Sequence, residues 1–257
     1  MASRTAGAGP GPVAHAKTLA VVLLIGVSGF VVGSLFTVIG INVLSAAGIA
    51  VTERPTILIA VSVVTVQGLG FGSVALFYLS TREEGLGLLM GGVPDLRDLI
   101  WIASGLVALF VALIGISLLQ TTFGIESAQH TLLERGVQTP ELLLVMVPLS
   151  ILLVGPGEEL LFRGIIQQLL RIRFGVPVGI TIASVIFAVA HVGSLTGEGL
   201  VATLATYVVL SLILGVSYEY SENLVVPATI HGLFNAIQFL ALYWSITSGN
   251  VPIVLVF

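Results

Sequence analysis

Residues 18–52, TLAVVLLIGVSGFVVGSLFTVIGINVLSAAGIAVT, form a stretch without a single charged side chain. At 1.5 Å per residue, about 20 apolar residues make a helix that crosses the hydrocarbon core of a bilayer. The stretch is also far longer than the roughly 7–15 apolar residues of a signal-peptide core, so we expect it to stay in the protein. It therefore predicts one long or tilted membrane helix with a tail along the interface.

The composition of the whole chain agrees with a membrane protein. Of its 257 residues, 56% are hydrophobic and only 9% are charged, whereas soluble domains carry about 25% charged residues. The formal net charge of −4 gives no basic surface for nucleic acid, so we expect the lipid bilayer as a partner and no nucleic acid. The chain has no Cys, which excludes disulfides, thiolate nucleophiles and Cys-ligated metal centres.

Six further apolar segments follow the first one. They predict an all-α integral membrane protein, a polytopic bundle of about seven transmembrane helices. An eighth helix remains open if the first stretch divides or if the Gly-rich residues 85–93 are re-entrant. The predicted segments after the first are residues 55–80, 99–120, 141–170, 176–195, 199–218 and 224–246.

Lys and Arg residues between the segments predict the orientation, because cytoplasmic loops are enriched in them. A cytoplasmic N-terminus places six on the inner side, against two outside. We therefore expect a multi-pass protein of the cell membrane with its N-terminus in the cytoplasm and, with seven helices, its C-terminus outside. The inner set is Arg4, Lys17, Arg82, Arg97, Arg171 and Arg173, and the outer set is Arg54 and Arg135.

Ionisable residues inside apolar helices are costly and mark candidate functional sites. The segment GPGEELLFRG, residues 155–164, carries three of them. Glu159 and Arg163 are four residues apart, in the order that favours an ion pair on a helix. Glu158 lies about 100° around the helix from Glu159, so Arg163 neutralises it less and it is the candidate general base. A structural polar cluster in a kinked helix is the alternative.

Two later segments add histidines. FAVAH ends at His191, and at 1.5 Å per residue His191 and Glu158 lie about 27 and 22 Å from the turn near Arg173, so adjacent antiparallel helices bring them level. HGLFN places His231 and Asn235 on one helix face, where their N–H groups can stabilise an oxyanion. Hydrogen bonding between helices is the alternative for both segments.

Other protease chemistries fit the sequence less well. There is no H-E-x-x-H zinc motif, and Asp95 and Asp98, the only aspartates, are expected in a loop rather than in a membrane-embedded dyad. The string GVSG, residues 26–29, resembles the rhomboid serine-protease element, but it lies in the first helix, and short Gly/Ser strings are common where helices pack.

Taken together, E-E-x-x-x-R (Glu158, Glu159, Arg163), F-x-x-x-H (ending at His191) and H-x-x-x-N (His231, Asn235) resemble the CPBP family. This is the CAAX prenyl protease and bacteriocin-processing family of intramembrane endopeptidases, also called the Abi family. The resemblance covers residues 141–246 and implies a cavity open toward the cytoplasmic leaflet.

The resemblance also implies roles for the matching residues. Glu158 and His191 would activate the attacking water, His231 and Asn235 would stabilise the oxyanion, and Glu159 and Arg163 would support them. Whether a metal takes part is left open. Glu158, His191 and His231 have the composition of a catalytic zinc site, but a metal-free mechanism uses the same three residues and is preferred, because Glu159 is expected to be tied to Arg163.

We therefore divide the chain into a disordered leader (1–16), N-terminal transmembrane helices (17–140), a catalytic helical core (141–247) and a short apolar tail (248–257). The expected function is hydrolysis of a peptide bond in a membrane-embedded or lipidated substrate. A transporter or proton relay built from the buried Glu, Arg and His residues, and a non-proteolytic scaffold or immunity protein, are the alternatives.

Overall fold

The computed structural model describes residues 11–249; the remaining parts of the predicted leader and tail, 1–10 and 250–257, lie outside the described residues. Seven helices in this range are long and apolar enough to cross a membrane. The predicted all-α polytopic fold is confirmed. We number the helices as spans 1 to 7: Pro12–Ala46, Pro55–Ser80, Leu96–Phe123, Glu141–Phe174, Val176–Ser194, Leu200–Ser221 and Val225–Ser248.

Two local expectations, the extent of the leader and the placing of Asp98 in a loop, differ from the structure, and neither route to an eighth helix is found among residues 11–249. Span 1 is one undivided helix that begins at Pro12, inside the predicted leader, where a proline suits the first helical turn. The Gly-rich residues 85–93 contain only a single 3-10 turn, Gly85–Leu88, and no re-entrant helix. Asp98 lies in the first turn of span 3 rather than in a loop, and it forms a capping box with Asp95, which satisfies free N–H groups at the helix start.

The distribution of polarity is that of a protein surrounded by lipid. Large apolar side chains cover the outside of the bundle, and examples that are between 65% and 80% exposed are Leu24, Val111, Leu152, Val201 and Trp244. The charged side chains of Glu158, Glu159 and Arg163 are instead buried inside the bundle. Because a charge in hydrocarbon is costly, this inversion places the polar chemistry between the helices.

Spans 2 and 4 contain π-helical segments next to the polar cluster. In span 4 these are Ser150–Val154 and Leu160–Gln167, with a short α-helical segment, Gly155–Glu159, between them. Span 2 contains Val64–Phe71. Pro156 lacks an N–H to donate, yet the helix continues through it. Both glutamates therefore lie between two π-helical segments, a feature frequent at functional sites.

A small antiparallel pair of strands joins two loops at one end of the bundle. Strand β1, Gln129–His130, pairs with β2, Leu195–Thr196, with His130 opposite Leu195. The short helix Thr131–Gln138 follows β1 directly. The sequence did not predict this strand pair, because strands of two residues have no detectable periodicity. It connects the loop before span 4 to the loop that follows His191.

A row of aromatic rings connects spans 2, 4 and 5. The ring centroids of Phe71 and Phe162 are 6.1 Å apart and those of Phe162 and Phe187 are 5.1 Å apart, both edge to face. This geometry is favourable for aromatic pairs. The row fixes span 5, and with it His191, against the polar segment of span 4.

Candidate active site

Glu158 and His191 meet between spans 4 and 5. The Nε2 of His191 lies 3.8 Å from Oε2 of the buried Glu158. The other ring nitrogen, Nδ1, is 2.8 Å from the main-chain oxygen of Phe187. A carbonyl oxygen only accepts, so Nδ1 carries the donated hydrogen and Nε2 of the neutral ring has a free lone pair. His191 therefore directs a free hydrogen-bond acceptor toward the side of the cavity that holds Glu158.

His231 approaches the same carboxylate from span 7. Its Nε2 lies 4.0 Å from Oε2 of Glu158, and its Nδ1 lies 2.9 Å from Oε1 of Glu159. Both histidines thus direct Nε2 to one oxygen of Glu158, while a separate acceptor holds each Nδ1. Oε2 of Glu158 is buried and has no hydrogen-bond partner among residues 11–249.

Glu159 and Arg163 form the predicted ion pair. The Nε of Arg163 is 3.1 Å from Oε2 of Glu159, and both side chains are fully buried. Arg163 also donates to the hydroxyl of Ser211 in span 6 at 3.1 Å. A buried charge persists only when it is paired and hydrogen-bonded. Glu159 therefore joins Arg163 to His231.

Phe187 has two functions in this arrangement. Its carbonyl accepts from His191, and its ring packs 4.6 Å from the ring of His191 and 5.9 Å from that of His231, measured between centroids. The guanidinium carbon of Arg163 lies 5.0 Å from the same ring centroid. The phenylalanine of the F-x-x-x-H motif is thus in contact with three of the polar side chains.

The predicted catalytic residues share one cavity of about 280 Å³. Glu158, His191, His231 and Asn235 all line it, whereas Glu159 and Arg163 lie behind this wall. The rest of the lining is mostly apolar, with aromatic and aliphatic side chains from spans 1, 3, 6 and 7. An apolar cavity with a few convergent polar groups is typical of a ligand site.

The two histidine nitrogens lie farther from Glu158 than the ligand atoms of a tetrahedral zinc ion lie from one another. Ligand atoms 2.0–2.1 Å from a tetrahedral zinc ion are about 3.3–3.4 Å from one another, but the two Nε2 atoms lie 3.8 and 4.0 Å from the nearest oxygen of Glu158. Among residues 11–249, no group of three or more His, Asp or Glu side chains is arranged to hold a metal.

Sequence reasoning missed six polar residues that line the cavity: Gln67, His130, Ser150, Ser194, Tyr207 and Ser211. Tyr207 of span 6 stacks edge to face on His191, with ring centroids 5.3 Å apart. Gln67 and Ser150 come from the π-helical segments of spans 2 and 4. Their signal was a polar residue within an apolar span. His130, in the strand pair, had no such signal because it lies between two apolar spans rather than inside one.

His130 is held in an uncharged form. Its Nδ1 accepts a hydrogen bond from the main-chain N–H of Leu132 at 3.2 Å. Burial, and to a lesser extent the positive charge of protonated His191, lower the pKa of His130 to about 4. Near neutral pH the ring therefore carries its hydrogen on Nε2, at the end of the cavity next to the strand pair.

The cavity extends toward the end of the bundle opposite Arg171 and Arg173. Those arginines lie in the last turn of span 4, whereas the cavity-lining His130 of β1 and Ser194, the last residue of span 5, lie at the other end. With a cytoplasmic N-terminus, the strand pair lies on the outer side of the membrane. A cavity that opens at the strand pair would then face away from the cytoplasm. This orientation conflicts with the resemblance, which implies a cavity open toward the cytoplasmic leaflet.

Comparison with known proteins finds a family match for the segment that carries the candidate site residues. Residues 140–237 match the family described as type II CAAX prenyl endopeptidase Rce1-like. The match covers less than half of the 257 residues of the chain. It contains spans 4 to 6 and the part of span 7 that carries His231 and Asn235, and it supports an intramembrane endopeptidase of the CAAX-protease type at the level of the family.

A relative outside this description is the uncharacterized protein YpbD of Bacillus subtilis (strain 168). It is 36% identical over 86 residues, which cover 34% of this chain and 40% of that protein. The match thus spans less than half of the relative. No solved structure matches the chain significantly.

Proposed function

We propose that the protein is an intramembrane endopeptidase in which Glu158 and His191 activate a water molecule to hydrolyse a peptide bond of a membrane-associated substrate. The observation that carries this proposal is the convergence of the Nε2 atoms of His191 and His231 on Oε2 of Glu158, at 3.8 and 4.0 Å. A water molecule can bridge polar groups at such separations. The Rce1-like match supports the same reaction class.

In the first step, water attacks the scissile carbonyl carbon while Glu158 accepts its proton. His191 accepts a hydrogen bond from the same water through the lone pair on Nε2, because its Nδ1–H is engaged by Phe187. Two acceptors fix the water oxygen and direct its own lone pair at the carbonyl. This positioning contributes in addition to the proton transfer.

In the same step, the carbonyl oxygen becomes an oxyanion that His231 and Asn235 stabilise. Because Nδ1–H of His231 donates to Glu159, Nε2 can donate as well only when the ring is doubly protonated. The carboxylate of Glu158 balances that charge before the attack, and the oxyanion balances it afterwards. The amide of Asn235 supplies the second donor. Collapse of the intermediate breaks the C–N bond, and the protonated Glu158 returns its proton to the leaving amine.

We propose that this reaction needs no metal ion. Glu159 is engaged by Arg163 and His231, so no second base is free if Glu158 binds a metal. Metal analysis of purified active protein tests this point. Stoichiometric zinc that is lost together with activity on chelation would contradict it, and full activity after chelation supports it.

We further propose a membrane-embedded or lipidated peptide as the substrate, in a multi-pass protein of the cell membrane with a cytoplasmic N-terminus. A prenylated CAAX reporter peptide, incubated with purified protein in detergent, tests the substrate class against the same peptide without the prenyl group. Selective cleavage of the prenylated peptide supports a CAAX-type substrate. No cleavage of any membrane peptide in detergent, together with solute transport in sealed vesicles, would favour the transporter instead.

A further inference from the structure

Two polar side chains in the cavity wall have no hydrogen-bond partner within the described chain. They are Gln67 of span 2, through Oε1, and Ser150 of span 4, through Oγ. Both residues line the cavity that contains Glu158. A buried polar group without a partner destabilises the folded state. These two side chains therefore carry an unmet capacity for hydrogen bonding directly at the site.

Close contacts at two glycines hold both residues against the catalytic residues. A Cβ added to Gly157 would lie 2.1 Å from the carbonyl oxygen of Gln67, so Gln67 packs against the residue that precedes Glu158. A Cβ added to Gly232 would lie 2.9 Å from the carbonyl oxygen of Ser150, so Ser150 packs against the residue that follows His231.

The local helix geometry explains why Ser150 is free. A serine inside an α-helix usually donates to the carbonyl four residues earlier, as Ser62 and Ser217 do here. Ser150 begins the π-helical segment Ser150–Val154 and makes no such bond. Other buried side chains also have unpartnered oxygens, but Gln120, Gln167 and Ser184 do not line the cavity.

We propose that Gln67 and Ser150 bind the main chain of the substrate, Gln67 by accepting from a peptide N–H and Ser150 by donating to a peptide C=O. This inference rests on the proposed function. An extended peptide that enters an apolar cavity brings main-chain N–H and C=O groups that have left water, and each of them needs a partner. Gln67 and Ser150 are the positioning residues that supply those partners beside the reacting bond.

The inference gives the N-terminal half of the chain a part in substrate recognition. Gln67 lies outside the Rce1-like segment, residues 140–237, yet it packs directly on Gly157 of that segment. Main-chain recognition does not depend on the substrate's side chains. The enzyme would therefore tolerate different residues at the position that Gln67 contacts, while requiring an intact amide there.

Two variants test the proposal: Gln67→Met, which keeps the length of the side chain and removes the amide, and Ser150→Ala. Loss of one hydrogen bond should raise KM about 3- to 10-fold and change kcat little. Stability should not fall, because an unpaired polar group has been removed; a merely structural role predicts the opposite. Gln120→Met is the matched control, since Gln120 is buried in span 3 away from the cavity, and its KM should equal that of wild type.

Substrates with one amide replaced by an ester identify the bond itself. At one position the ester should raise KM for wild type but not for Gln67→Met, because the N–H that Gln67 binds is already unused in the variant. Equal KM for wild type and both variants, or ester effects that are identical in wild type and Gln67→Met, would overturn the inference alone. A wild-type protein that cleaves no peptide would contradict the proposed function, and this inference with it.

Discussion

Nδ1 of His231 lies 2.9 Å from Oε1 of Glu159, in a contact that is buried on both sides. This contact gives the second glutamate of the pair a function distinct from that of the first. Glu159 holds His231 and is neutralised by Arg163, whereas Glu158 faces the cavity and both Nε2 atoms. The two adjacent carboxylates therefore differ in partners, and substitutions at the two positions should have different effects.

Replacing Glu159 should destabilise the fold. Glu159→Ala leaves the fully buried Arg163 without its ion-pair partner, and breaking a buried pair in this way costs about 3–5 kcal/mol. Unfolding followed in detergent measures the loss. The double variant Glu159→Ala, Arg163→Met removes both charges and should recover most of the stability. A Glu159→Ala protein that is as stable as wild type but inactive would instead exchange the roles of the two glutamates.

Replacing Asn235 should slow the chemical step. If its amide stabilises the oxyanion, Asn235→Ala lowers kcat by about 10²- to 10³-fold while KM changes little. Steady-state cleavage assays separate the two parameters. Asn42→Ala is a suitable control, because that exposed amide bonds only its own helix, to the carbonyl of Val38. An unchanged kcat for Asn235→Ala would return Asn235 to a structural role.

The sequence predicted the seven spans and the polar motifs because both depend on local spacing. A run of apolar residues specifies a membrane helix, and a four-residue spacing specifies the Glu159–Arg163 pair. The contact of His231 with Glu159 depends instead on how span 7 packs against span 4. It could not be read from spacing. His130 was missed for a related reason, since the strand pair that positions it forms between two distant loops.

His130 should make the protein sensitive to mild acid. Its pKa is lowered from the ordinary value of 6.5 to about 4, so between these pH values the unfolded chain binds a proton that the folded chain does not. The free energy of unfolding should therefore fall as the pH decreases through this window. His130→Gln should reduce that fall. Unfolding at pH 7.5 and pH 5 tests the prediction, and equal losses in wild type and variant would refute it.

The absence of Cys makes the orientation directly measurable. In intact cells, an impermeant maleimide should label Glu126→Cys, beside the strand pair, and should not label Glu83→Cys, in the loop between spans 2 and 3. Both positions are exposed. This pattern follows from the excess of Lys and Arg on the side of Glu83. The reverse pattern would place the strand pair in the cytoplasm and would agree with the cytoplasmic cavity opening that the family resemblance implies.

The central claim is that Glu158 activates water, and the most direct test compares cleavage of one membrane peptide by wild type, Glu158→Gln and Glu219→Gln. Glutamine keeps the shape of the side chain but cannot accept the proton. Glu219 pairs with Arg171 at 2.8 Å, outside the cavity, and controls for the loss of a glutamate charge. We predict full cleavage by Glu219→Gln and none by a normally folded Glu158→Gln. Turnover by Glu158→Gln at the wild-type rate would contradict the account.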